Sequence, residues 1–98
     1  MWVYILANRY DTVLYVGVTN DMERRTWEHG NSLSRFTSRY RVTKLIHVEE
    51  YSSPRDAIAR EKQLKGWRRE KKLALVREQN PEFRDLLAPE ASGESESN

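Results

Sequence analysis

Two short runs of β-forming residues joined by a polar turn constrain this chain more than any other feature. Trp2–Ala7 (W-V-Y-I-L-A) and Thr12–Val18 (T-V-L-Y-V-G-V) are rich in Val, Ile, Leu and Tyr. Asn8-Arg9-Tyr10-Asp11 between them is a turn cluster, so the pair reads as an antiparallel hairpin. Side chains alternate across a strand, which groups Tyr4 with Trp2 and Leu6, and Tyr15 with Val13 and Gly17. If Ala7 pairs with Thr12, Tyr4 falls opposite Tyr15 and two phenols stand together on one sheet face. Gly17 lies on the Tyr15 face, and a glycine inside a strand pattern marks a close approach by a backbone or a ligand.

The next residues, T-N-D-M-E, read as a helix start, with Asn20 as N-cap, Glu23 three residues later and Gly30 as terminator. On that helix Met22, Arg25 and His29 share a face. Two tyrosines, an arginine and a histidine thus converge on one cleft. V-Y-I followed by Y-V-G, with an arginine ten residues after the second tyrosine, resembles the GIY-YIG endonuclease family. Trp2 stands where the name-giving motif has glycine, a position that varies across the family. Val18 stands where the nucleotide-excision-repair members carry a lysine, so a mechanism relying on that lysine does not apply here. His29, four residues after Arg25, is similar to the arrangement in some restriction-enzyme members. The resemblance is to the small, single-domain bacterial branch and covers residues 1 to about 87.

Ninety-eight residues allow one domain with a modest core. No run approaches the roughly 20 apolar residues of a spanning helix, no secretory signal is visible, and the absence of cysteine fits a reducing compartment. The expectation is a cytoplasmic monomer without membrane contact. Net charge is +2, but residues 1–87 carry +5, because every Lys and Arg lies at or before Arg84 while Glu90, Glu94 and Glu96 sit in the tail. A basic body suits a polyanion; the bland alternative is an ordinary solvated surface.

Further along, Arg35, Arg39 and Arg41 interleave with Phe36 and Tyr40 in a segment without periodicity. Guanidinium groups reach phosphates and aromatic rings stack on bases, although the same segment could be a loop pinned by its aromatics. Val42–Tyr51 reads as a third strand with His47 as a structural residue. Ser53 and Pro54 open a helix whose apolar stripe is Ala57, Ile58, Leu64 and Trp67. Glu61 sits inside that stripe, where a carboxylate is costly unless compensated. A divalent cation would compensate it, since Mg²⁺ is often held by one or two carboxylates plus water and substrate phosphate. The alternative is a Glu61–Arg25 ion pair without metal. The family uses one helix-borne glutamate as its metal ligand, and A-R-E-K-Q-L-K-G-W resembles that segment. Trp67–Gln79 resumes as another helix, and Arg60–Arg77 carries a net +6, with Lys65, Arg68, Arg69 and Lys72 as expected phosphate contacts. A short terminal helix is expected over residues 80–87, capping the core with Phe83 and Leu86, followed by a disordered acidic tail over 88–98.

The expected fold is α+β, a three-stranded antiparallel sheet in β-β-α-β-α-α order, with a nuclease domain over 1–87. By resemblance, the chain is a Mg²⁺-dependent endonuclease on DNA, with Mn²⁺ as a substitute metal and RNA as a further substrate class. In that reading Glu61 holds the metal, Arg25 donates to a non-bridging phosphate oxygen, and Tyr4 or Tyr15 takes the proton from the attacking water. Free tyrosine has a pKa of about 10, so Arg25 and the metal are the groups expected to favour the phenolate, with His29 as the alternative proton acceptor. With no attached specificity domain, recognition is expected to follow substrate structure rather than sequence, with a protein partner as a second source of specificity. The competing reading is a non-catalytic nucleic-acid-binding module on the same basic surface.

Overall fold

The computed structural model describes residues 1–22, 24, 42 and 44–86. Within them the chain forms β1 (Trp2–Ala7), β2 (Leu14–Thr19), β3 (Lys44–Glu50), α1 (Pro54–Lys65) and α2 (Arg69–Gln79). The sheet is antiparallel in the order β2-β1-β3. Its central position explains why Val3–Ala7 is a continuous apolar run: β1 is buried on both faces. On one face Val3, Ile5, Ala7, Val16 and Ile46 pack with Ala57, Leu64 and Val76 from the helices. On the other face Tyr4 and Leu6 pack with Val42 and Leu45, joined by Val13, Tyr15, Met22 and Val48. The architecture is the expected α+β arrangement. The helix expected over 20–30 lies, beyond Met22 and Arg24, outside the described residues, as do the residues of the acidic tail.

The hairpin register differs from expectation by two residues. Ala7 pairs with Leu14 rather than Thr12, so Tyr4 faces Gly17 across the ladder and Tyr15 faces Leu6. The Asn8 carboxamide causes this. Its Oδ1 accepts from the backbone N–H of Thr12 (2.8 Å) and Val13 (3.1 Å), and its Nδ2 donates to Thr12 Oγ1 (2.8 Å), drawing both residues into the loop. A shift of two preserves side-chain parity, so both tyrosines remain on the expected face.

β3 also departs from simple alternation. Its pairing with β1 shifts between Ile5 and Leu6, and the bulge puts Leu45 and Val48 with the tyrosines while Ile46 packs on the helix side. The irregular edge is served by the segment after α2. Asn80 Nδ2 donates to the Ile46 carbonyl (3.1 Å), the Leu45 N–H donates to Asp85 Oδ1 (3.2 Å), and the Leu86 N–H donates to the Leu45 carbonyl (2.7 Å). The helix expected over residues 80–87 is therefore absent among the described residues. Asn80 spends its carboxamide on β3 and on Arg84, and Phe83 adopts a left-handed φ of 53°. Phe83 still packs on the helix-side core, but Leu86 is exposed rather than capping it.

Several stripes also fall differently. α1 packs across β2 and β1, and α2 reaches β3. Ala57 and Leu64 are fully buried as expected, yet Ile58 is exposed, because the sheet-facing stripe runs Ala57, Arg60, Glu61, Leu64. Ser53 occupies the N-cap position, although its side chain makes no capping bond. α2 begins at Arg69, two residues later than expected, and Ala74 faces solvent. At the start of the helix expected over 20–30, Asp21 rather than Asn20 supplies the capping oxygen, accepting the Arg24 N–H at 3.0 Å.

Candidate active site

The face of the sheet turned away from α1 and α2 carries the two phenols. Because Tyr4 and Tyr15 are diagonal neighbours, their ring centroids lie 6.3 Å apart with planes inclined by 37°. The strand glycine explains how this pair is accommodated. The Tyr4 ring lies directly over Gly17, where a Cβ would stand only 2.5 Å from Tyr4 Cζ and 2.9 Å from Cε1. Gly17 is thus a hollow cut for Tyr4, which is 1% exposed, while Tyr15 is half-buried. Met22 packs on this same face, as the spacing predicts. Its expected face-mates Arg25 and His29 lie outside the described residues, together with Arg35, Arg39 and Arg41.

Glu61 lies in the middle of the α1 stripe, between Ala57 and Leu64. Its side chain is 17% exposed, and Oε2 meets Lys65 Nζ at 2.9 Å. Lys65 is half out in water (54%), and an i,i+4 pair of that kind contributes only about 0.3–0.5 kcal/mol. The carboxylate is therefore neither deeply buried nor firmly held. A lysine can swing away from it, leaving an oxygen donor for a cation. Among the described residues no group of three or more His, Cys, Asp or Glu forms a cage for an ion. The donor set around Glu61 suits an ion completed by water and substrate phosphate, the usual habit of Mg²⁺.

Arg60, next to Glu61, has a different task that the sequence reading did not single out. Its Nε and Nη2 donate to Glu49 Oε1 (2.9 Å) and Oε2 (3.1 Å), and Nη1 donates to Gln63 Oε1 (2.8 Å). Tyr51 donates its hydroxyl to Glu49 Oε1 (2.8 Å), and His47 Nε2 lies 2.8 Å from Glu49 Oε2. Burial alone would raise the Glu49 pKa, but the bonds from Arg60, His47 and Tyr51 and the charge of Arg60 outweigh it and hold it at about 2. The partners respond in turn: the Glu49 bond raises the Arg60 pKa, and burial followed by the Glu49 contact raises that of Tyr51. The signal in the sequence was the run His47, Glu49, Tyr51 at alternate positions, facing a helix arginine. Residues 60 and 61 are 100° apart around a helix. With Arg60 drawn to β3, Glu61 faces a different flank of the stripe.

The basic segment has a mixed character. Arg69 Nη1 donates to the Thr12 carbonyl at 2.7 Å, tying α2 to the hairpin loop, so one of its donors serves the fold. Lys71 Nζ and Arg60 Cζ stand 4.3 and 5.1 Å from the Trp67 ring centroid. Arg68 is exposed and Lys72 half-buried. Arg68, Arg69, Lys71 and Lys72 crowd the first turn of α2, where the helix dipole disfavours cations. Such a placement weakens the helix a little and suits an anionic ligand. No helix among the described residues is long and apolar enough to cross a membrane.

Comparison with known proteins agrees with this geometry. The chain is 40% identical over 83 residues to a UPF0213 protein of Syntrophus aciditrophicus, covering 83% of this chain and 93% of the relative. It is 32% identical over 78 residues to a UPF0213 protein of Staphylococcus saprophyticus (79% and 94%) and 36% identical over 78 residues to one of Haloquadratum walsbyi (79% and 86%). No solved structure matches the chain. The GIY-YIG catalytic domain matches residues 1–74, the span that holds the phenol pair, Gly17 and Glu61. By that match, and by the sheet and helices it covers, the chain belongs to the GIY-YIG family of nucleases.

Proposed function

We propose that this protein is a divalent-metal-dependent endonuclease that hydrolyses phosphodiester bonds in DNA, choosing substrates by structure rather than by sequence. The observation that carries the reading is the Tyr4–Tyr15 pair, with the Tyr4 ring seated over the Gly17 hollow. A strand glycine costs about 0.5–1 kcal/mol relative to alanine, and ordinary core packing has no need of two hydroxyls there. The pair makes sense if a phenol oxygen has work to do on that face.

In the reaction, water adds to phosphorus, the bond to the leaving sugar oxygen breaks, and that oxygen ends protonated. A phenol of the pair takes the proton from the attacking water, with His29 as the alternative proton acceptor. Arg25 donates to a non-bridging oxygen as charge grows on the phosphate. Glu61 would hold Mg²⁺ or Mn²⁺, which supplies neutralisation of charge on the scissile phosphate and the leaving oxygen. Arg68 and Lys72, with Arg35, Arg39, Arg41, Lys65 and the remaining donors of Arg69, neutralise flanking phosphates.

The experiment is nicking of supercoiled plasmid with and without Mg²⁺, run beside gel-shift binding, for wild type and Glu61→Gln. Metal-dependent nicking that falls at least 100-fold in the variant while affinity and melting midpoint hold is the expected result. Binding without cleavage by the wild type in either metal would leave a binding module instead.

A further inference from the structure

The β1–β2 loop is more firmly built than a connection of its length requires. Asn8 closes it with three side-chain bonds, and the Asp11 N–H donates to the Asn8 carbonyl at 3.0 Å. Asp11, in the left-handed region at φ 58°, meets Lys44 Nζ of β3 at 2.8 Å. The Thr12 carbonyl is held from the other side by Arg69 of α2 at 2.7 Å. Contacts from β3 and α2 thus add to the loop's own, and they use Asn8, Asp11 and Thr12.

Two residues remain pointing outward. Arg9 is exposed and Tyr10 is 73% exposed, with Arg9 Cζ 5.6 Å from the Tyr10 ring centroid. A tyrosine on a pinned backbone offers a flat apolar face that loses little freedom when something stacks on it. The cation beside it and the basic first turn of α2, joined to the loop through Arg69, favour a ligand with both an aromatic face and negative charge. Tyr10 lies five residues before Tyr15, so at 3.3–3.4 Å per strand residue the loop tip is within about 10–20 Å of the phenol pair. That is a few nucleotides along a nucleic-acid strand.

We propose that Arg9 and Tyr10 form a stacking platform for an unpaired base close to the scissile phosphate, so that a nucleotide displaced from a duplex is the feature recognised. This rests on the nuclease reading above and supplies its structural preference. Base stacking on an exposed aromatic tolerates any sequence but requires that the base be out of the duplex.

The test uses the full chain without divalent metal, so that binding is read apart from cleavage. Two oligonucleotide substrates carry 2-aminopurine, one in a single-stranded flap at a duplex junction and one fully paired. Wild type is expected to bind the flap more tightly and to quench its fluorophore. Tyr10→Ala should weaken flap binding about tenfold, lose the quench, and leave duplex affinity within about twofold. Tyr10→Trp should restore both signals, and the melting midpoint of all variants should match, since Tyr10 is 73% exposed. Equal losses on both substrates, or flap binding and quenching unchanged by Tyr10→Ala, would overturn the platform while leaving the nuclease reading intact. A wild type that binds neither substrate would overturn both.

Discussion

On the helix-covered face of the sheet, His47, Glu49, Tyr51 and Arg60 answer one another within 2.8–3.1 Å and dock α1 onto β3. On the opposite face, Tyr4 and Tyr15 meet at 6.3 Å with a glycine hollowed beneath one of them. Both faces bury polar atoms, but the surroundings differ in kind. The first set forms a closed circuit whose strength lies in mutual hydrogen bonding, and removing any member leaves its neighbours unanswered. The second is an arrangement whose shape was obtained by giving up a side chain.

The contrast can be broken by filling the hollow. Gly17→Val places a branched side chain where the Tyr4 ring lies, an overpacking expected to cost about 3 kcal/mol. For a domain of this size that is roughly 12–24 °C in melting midpoint. Gly17→Val combined with Tyr4→Ala should recover most of that loss without recovering cleavage. Two penalties that simply add would mean the ring does not need the hollow.

A smaller loss is expected on the other face. Glu49→Gln weakens a partly exposed charged network and should cost about 2 kcal/mol, measured from urea midpoints at pH 7. The pH dependence carries a signature. Glu49 titrates near 2 in the folded chain against 4.5 ordinarily, so the unfolded chain takes up its proton first as pH falls. Its stabilisation is complete above about pH 4.5 and drains away toward pH 2. Wild type should therefore lose stability across that window more steeply than Glu49→Gln. Parallel curves would mean that the circuit is not what docks α1.

The mildest effects should come from the basic segment. Arg68→Ala should make the slope of log affinity against log salt on duplex shallower by about 0.9, the contribution of one neutralised phosphate. Arg69→Ala should in addition lower stability by about 1 kcal/mol, the worth of its bond to Thr12. Equal stability of the two variants would separate α2 from the hairpin loop.

Much of this was legible in the residues. Alternation gave the strands, and because a two-residue slip keeps parity, the phenols share a face even though the expected Tyr4–Tyr15 pairing gave way to Tyr4–Gly17. Helix spacing put Glu61 between Ala57 and Leu64, where it stands. What escaped the sequence were individual side-chain bonds. Nothing local reveals that the Asn8 carboxamide lengthens the loop, that Asn80 and Asp85 serve a bulged edge, or that Arg60 reaches β3. The bulge itself interrupts a run, V-T-K-L-I-H-V-E-E-Y, that reads as regular alternation. Such bonds depend on which single side chain meets which backbone or carboxylate group, four residues away for Asn8 and forty for Asp85, and leave no periodic mark.

The central claim is that the Tyr4–Tyr15 pair does chemistry and the His47–Glu49–Tyr51–Arg60 circuit does not. Single-turnover cleavage at saturating Mg²⁺ from pH 6 to 10, on wild type, Tyr4→Phe and Tyr15→Phe, tests it most directly, with melting midpoints taken on the same samples. A phenol acting as general base should give a wild-type rate that climbs with pH, about tenfold per unit before levelling off. One Phe variant should lose about 100-fold or more in rate, while both variants keep their folded structure. A flat wild-type profile with both Phe variants fully active would contradict the account and remove the tyrosines from the reaction.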